Sequence, residues 1–238
     1  MRILNLVLFS PDMYYQEMYK ITSSYYKRFG FVDTVYYYYD DIDEPNKRDG
    51  DFLIIKGKES LDSSITTKTI LAFEYFQSSL CNYDYVIRTN ISSIVQFDLI
   101  LSLPNISYGG YLINLQWLDH PSGIHDDTHF GTIFVSGTCI IFSSHVVQQI
   151  LENRHDINET IMDDVAFGIF AKKYSIETTD LTHYTLFMKK CEDENDLFSY
   201  LKEYKKMLCY RNRVDVYSKN RLVDVEQMKC IVKFLALK

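Results

Sequence analysis

Arg88-Thr89-Asn90-Ile91-Ser92-Ser93 follows an apolar run, Tyr85 to Ile87, with no glycine or proline between them. In an α/β sheet the carboxyl end of a strand is where a ligand is held, because the strand fixes position and the elbow after it supplies chemistry. This elbow offers a guanidinium, an amide and hydroxyls, hydrogen-bonding groups with one formal charge among them. That set suits a polar, phosphorylated ligand. The competing reading is a strand that ends in a solvated turn.

Three further groupings could take part. Asp163-Asp164 opens an apolar helix, Val165 to Phe170. Two carboxylates there serve as caps favoured by the helix dipole, or one acts as a general base while the other is held by hydrogen bonds. Ser136-Gly137-Thr138 lies inside an apolar run, where a glycine marks a bulge or a place where a ligand nears the backbone. Lys68-Thr69 sits on a helix before the Tyr85 strand, where a lone lysine is ordinarily a solvated charge. A long polar insertion, Trp117 to Phe130, carries Asp119, His120, His125, Asp126, Asp127 and His129. Pro121 and Gly123 break any single helix that could present all three imidazoles to a zinc ion, so a loop that closes over a substrate is the better reading. The chain has no P-loop, no G-x-G-x-x-G and no G-x-S-x-G elbow.

The elements that must hold these groups are legible from periodicity. Residues 2–9 read as a buried strand, and Ser10-Pro11-Asp12 starts a helix that Gly30 closes. Strands follow at Thr34–Tyr39 and Phe52–Ile55, then a helix from about Ser64 to Leu80 and the Tyr85–Ile87 strand. Strands over Tyr108–Leu115 and Thr132–Phe142 flank the long insertion. Helices are expected over Val146–Leu151 and Asp163–Lys173, with a short strand at Ile176–Thr179. Charged amphipathic helices are expected over Asp193–Leu208 and Val223–Leu237. A β-α-β-β-α-β order with crossover helices predicts an α/β fold, a mostly parallel central sheet with helices on both faces.

With 238 residues, 47% of them hydrophobic, the chain suits one α/β domain or one domain with a small appendage. A net charge of −7 argues against a nucleic-acid partner. No run approaches a membrane span, and Ile3–Phe9 reads as a strand rather than a signal peptide. Five spaced cysteines without C-x-x-C indicate reduced thiols of a cytoplasmic protein. The sequons at Asn90, Asn105 and Asn158 are then chance matches. Among the 20 tyrosines, the run Tyr36 to Tyr39 packs both faces of a sheet or offers stacking faces for sugars.

Taken in order, these pieces resemble the fringe and β-1,3-galactosyltransferase type of glycosyltransferase, which is family 31-like with a GT-A fold. Ile65-Thr66-Thr67-Lys68-Thr69 stands where that family has L-T-x-K-T, and Arg88-Thr89-Asn90-Ile91-Ser92 where it has K-T-D-D-D. Val135-Ser136-Gly137-Thr138-Cys139-Ile140-Ile141-Phe142-Ser143 is similar to its C-S-G-x-x-Y-x-x-S strand. Asp163-Asp164-Val165-Ala166-Phe167-Gly168 is similar to its E-D-V-x-x-G helix start. The resemblance covers about residues 2–185. In compactness the chain is similar to cytosolic versions in large DNA viruses and microbes.

The resemblance implies a GT-A-like domain over residues 1–190 with C-terminal helices, 191–238, packed on it. It implies inverting hexosyl transfer from a UDP-sugar to a hydroxyl of a glycan or glycoconjugate, with Asp164 as base and Asp163 beside it. Lys68, Arg88, Thr89, Asn90, Ser92, Ser136 and Gly137 would then bind the donor, and Trp117 and His129 the acceptor. The family's D-x-D, which holds a divalent cation (manganese or magnesium), is here Asn90-Ile91-Ser92. An amide and a hydroxyl are poor ligands for a hard cation. Three outcomes stay open. A cation binds weakly through Asn90, Ser92 and His183; Arg88 or Lys68 stabilises the leaving group instead; or catalysis is lost. The last would leave a non-catalytic nucleotide- or carbohydrate-binding module. A nucleotidyltransferase is disfavoured because no glycine-rich basic loop follows the first strand.

Overall fold

The computed structural model describes residues 1–58, 64–103, 105–214 and 221–237; residues 215–220 and 238 of the expected C-terminal extension lie outside the described residues. In chain order the elements are β1 (Ile3–Leu8), α1 (Met13–Tyr26), β2 (Val32–Asp40), β3 (Lys47–Asp49), β4 (Phe52–Lys56), α2 (Ser64–Phe76), β5 (Tyr85–Asn90), β6 (Ser93–Val95) and β7 (Tyr108–Asn114). They continue with β8 (Ile133–Ser143), α3 (Ser144–Glu152), α4 (Asp163–Lys173), β9 (Thr178–Asp180), β10 (Thr185–Phe187), α5 (Glu194–Glu203), β11 (Cys209–Arg211) and α6 (Leu222–Ala236).

The fold is α/β. An eight-stranded sheet runs β3-β4-β2-β1-β5-β8-β7-β9. Its centre, β4-β2-β1-β5, is parallel, and β8 then pairs antiparallel to both β5 and β7. A second sheet, β10-β11-β6, lies beside it. The short edge strand β3 falls between the strands expected at Thr34–Tyr39 and Phe52–Ile55, and like β6, β10 and β11 it was absent from the expected elements. Three-residue strands are too short for alternation to reveal.

The two faces of the large sheet bury separate cores. Ile3, Val7, Tyr36, Ile87 and Ile141 face α1, α5, α6 and the second sheet. Leu4, Leu6, Val35, Tyr37, Val86 and Phe142 face α2, α3 and α4. The tyrosine run is therefore split by the two-residue period of a strand, Tyr36 to one side and Tyr37 to the other, both fully buried. Packing accounts for it.

Helix starts follow capping rules. Asp12 caps α1 by accepting from the Tyr14 N–H, which puts Pro11 just before the cap rather than in the first turn. The helix ends at Tyr26, four residues before Gly30, which was expected to close it. All five cysteines are free thiols. Among the described residues no helix is long and apolar enough to cross a membrane.

Candidate active site

A cavity of about 400 Å³ opens at the carboxyl ends of β1 and β5, where Leu8, Asn90 and Ser92 line it. Two residues of the antiparallel strand β8, Ser136 and Gly137, form another side, and the start of α4 supplies Asp163 and Asp164. The elbow and the acidic helix start thus share one cleft. Gly137 joins them: its carbonyl accepts from Asn90 Nδ2 at 2.9 Å, and its N–H donates to Asp164 Oδ2 at 3.0 Å. A side chain there would crowd the Arg88 guanidinium. A Cβ on residue 137 would lie 2.9 Å from Arg88 Nη1 and 3.3 Å from Asp164 Oδ2.

Asp163 and Asp164 are neighbours with different surroundings. Asp163 is fully buried and faces the Arg88 guanidinium, with Nε at 2.8 Å and Nη2 donating at 3.0 Å. It also accepts from Thr69 Oγ1 at 3.0 Å, and that hydroxyl meets Tyr37 Oη at 2.9 Å. Asp164 points into the cleft and accepts from the N–H groups of Gly137 and Val165, the latter at 2.8 Å. Burial, then the Asp163 charge, push its carboxyl up to about 6; the Gly137 N–H, Arg88 and the Val165 N–H act against this. One aspartate is tied to a guanidinium, and the other is poised to exchange a proton near neutrality.

Arg88 is only 2% exposed. Besides Asp163 it donates to Asn90 Oδ1 at 3.1 Å and to the Gly137 carbonyl. These bonds hold Asp163, Asn90 and β8 together at a place where Arg88 also lines the cavity. Lys68 is buried too, with its ammonium 5.2 Å from the centre of the Tyr39 ring, and it does not line the cleft. The helix motif acts through its threonines instead. Thr69 holds Asp163, and Thr66 donates to the Ile161 carbonyl just before α4. Their i, i+3 spacing, which places both on one helix face, was the signal available in the sequence.

Thr89 alternates to the opposite face from Arg88 and donates to Asn5 Oδ1 at 3.3 Å inside the core, away from the cavity. Trp117 and His129 lie on the insertion outside the cavity lining, Trp117 being 46% exposed. His183 is exposed near Asp180, also outside it.

The residues at the cation position do not fit a hard divalent ion. Asn90 Oδ1 already accepts from Arg88, and Ser92 Oγ accepts from Arg211 Nη1 at 2.7 Å. Neither is anionic, each is turned toward a guanidinium, and His183 is elsewhere. Among the described residues no group of three or more His, Cys, Asp or Glu could hold a metal ion. The His120–His125 pair, with Nδ1 atoms 3.0 Å apart, has no third such ligand.

Sequence reasoning missed Tyr15, Arg211, Arg213 and Arg221, all of which line the cavity. The three arginines come from the C-terminal segment, beyond the part of the chain that carries recognisable motifs.

No curated protein matches this chain. Solved structures similar to it include two at 12% identity. One is a glycosyltransferase involved in the glycosylation of the major capsid of PBCV-1, matched over 96% of this chain and 100% of that chain with a TM-score of 0.49. The other is the catalytic domain of Drosophila β1,4-galactosyltransferase 7 in complex with xylobiose, matched over 76% of this chain and 65% of that chain with a TM-score of 0.42. The galactosyltransferase family model matches residues 119–182, and over that segment, which contains both Gly137 and Asp164, the chain is similar to that family.

Proposed function

We propose that this protein is a hexosyltransferase that moves a sugar from a nucleotide-sugar, UDP-linked, to a hydroxyl of a glycan or glycoconjugate, with inversion at the anomeric carbon. The observation that carries the reading is the shared position of the elbow and the base. Asn90 and Asp164 are bonded to the two polar groups of a single residue, Gly137, in one cleft.

Chemistry follows from that arrangement. The donor's pyrophosphate lies at the carboxyl ends of β1 and β5, and the acceptor hydroxyl approaches the anomeric carbon from the side of Asp164. The new C–O bond forms as the bond to the phosphate oxygen breaks. The hydroxyl proton passes to Asp164, and the electron pair of the broken bond leaves on the diphosphate. Gly137 and Val165 orient the Asp164 carboxylate, and Asp163, clamped by Arg88 and Thr69, keeps its affinity for a proton high.

A thermal-shift panel of nucleotide-sugars, read with and without manganese, identifies the donor by mass action, since a ligand at 100 times its Kd adds about 2.7 kcal/mol. Asp164→Asn is expected to abolish transfer and to keep the donor-induced shift. Full turnover in that variant removes the assigned base. UDP binding to the wild-type protein with no turnover of any donor favours the non-catalytic module.

A further inference from the structure

One wall of the cleft is built from arginines that none of the recognised motifs supplies. Arg211 ends β11, Arg213 follows two residues later, and Arg221 immediately precedes α6; all three line the cavity with Tyr15 and Ser92. Arg211 is fixed by its bond to Ser92 Oγ. Arg221 pairs with the buried Asp224, donates to Tyr15 Oη at 3.4 Å and lies over the Tyr15 ring at 5.7 Å. Its Nη2 is buried and meets no hydrogen-bond partner among the described residues. Neither Arg211 nor Arg213 has a carboxylate partner among those residues.

This concentration of cations runs against the chain's net charge of −7. The carboxylates in the cavity do not cancel it, because Asp163 is taken by Arg88 and Asp164 is the group that titrates near neutrality. Burial and then the charges of Arg213 and Arg221 push Arg211 down to about 10, so the cluster repels itself while remaining charged at neutral pH. Clustered guanidiniums with unfilled donors are relieved by a multivalent anion, which accepts several charge-assisted hydrogen bonds at once.

Resting on the sugar-transfer reading, we propose that Arg211, Arg213 and Arg221 bind the donor's pyrophosphate and stabilise the departing diphosphate, in the role a divalent cation would have at Asn90-Ile91-Ser92. As the sugar–phosphate bond breaks, the electron pair adds one negative charge to the diphosphate, and the guanidinium donors meet it. The acceptor proton goes to Asp164, so no other co-reactant is needed.

Calorimetric titration with inorganic pyrophosphate and with UDP, in EDTA and then in manganese, tests this. Both anions are expected to bind in EDTA, with manganese changing the affinity by less than about twofold. Arg213→Gln, at an exposed position, is expected to weaken binding by about 10-fold. Arg211→Gln is expected to do the same where its thermal unfolding shows an intact fold. Binding that requires manganese, or Arg213→Gln binding as tightly as wild type, overturns the proposal. Binding of both anions in EDTA with no turnover of any nucleotide-sugar keeps the arginine site and removes the transferase reading instead.

Discussion

On the proposed reading Asp164 is the base, and it can accept a proton only when its carboxyl is ionised. With its carboxyl pushed up to about 6, the charged fraction falls about tenfold for each pH unit below that value. The expected pH profile of kcat/KM therefore rises with unit slope up to about pH 6 and is flat above it. An inflection near 4, the ordinary carboxylate value, would show that some other group is the base. The same shift has a stability consequence of known sign. The folded protein holds this proton more tightly than the unfolded chain, so from about pH 4 to about 6 the contribution of Asp164 to stability declines as pH rises. Arg88 belongs to the same scale. A guanidinium at the end of a strand reads as a ligand contact, but burial against Asp163 makes it a brace, since a buried charge persists only where it is paired.

Short elements aim the long ones. β6 is three residues long, yet it follows Ser92 directly and fixes how the elbow turns toward β11 and its arginine. Tyr26 of α1 holds it: Tyr26 Oη donates to the Ser93 carbonyl at 3.0 Å and accepts from the Val95 N–H at 3.2 Å. Tyr26→Phe leaves both buried backbone groups unpaired. The expected cost is about 1–3 kcal/mol, seen as a lower urea midpoint with an unchanged m-value. A variant with the wild-type midpoint would mean that β6 is held by pairing with β11 alone. On the other face, α2 and α4 are joined through Thr66 and Thr69, so the first turn of α4 is placed by a neighbouring helix as well as by its own backbone.

At the scale of the whole molecule, the C-terminal segment completes the core on one face of the sheet and also supplies the arginines of the cleft. Met228 and Ile231 of α6 are fully buried in the same core as Ile3, Val7 and Met18. Opening that core and losing the basic wall are therefore one event. Met228→Ala is expected to cost about 2–5 kcal/mol and to weaken pyrophosphate binding in proportion to the population opened, with a single calorimetric transition for the whole chain. Two resolved transitions, the lower one sensitive to the substitution, would show that the C-terminal helices fold on their own.

The pairing of a polar elbow with an acidic helix start rested on the family resemblance, whereas the sequence by itself determined the α/β order, the parallel centre of the sheet and the bounds of α4. Those features are written in local periodicity, in capping and in residue type, which neighbours in the chain are enough to express. Tertiary structure decided which of the singled-out residues face the cleft. A two-residue period sends Arg88 and Thr89 to opposite faces of the sheet, and nothing local says which face is the site. Lys68 lies under the Tyr39 ring while its threonine neighbours hold α4. Arg211 reaches Ser92 from more than a hundred residues away, on a three-residue strand that pairs with β6, and Arg213 and Arg221 line the same cavity. Charge gathered over that separation leaves no mark in composition or spacing, because only closure of the chain brings it to one place.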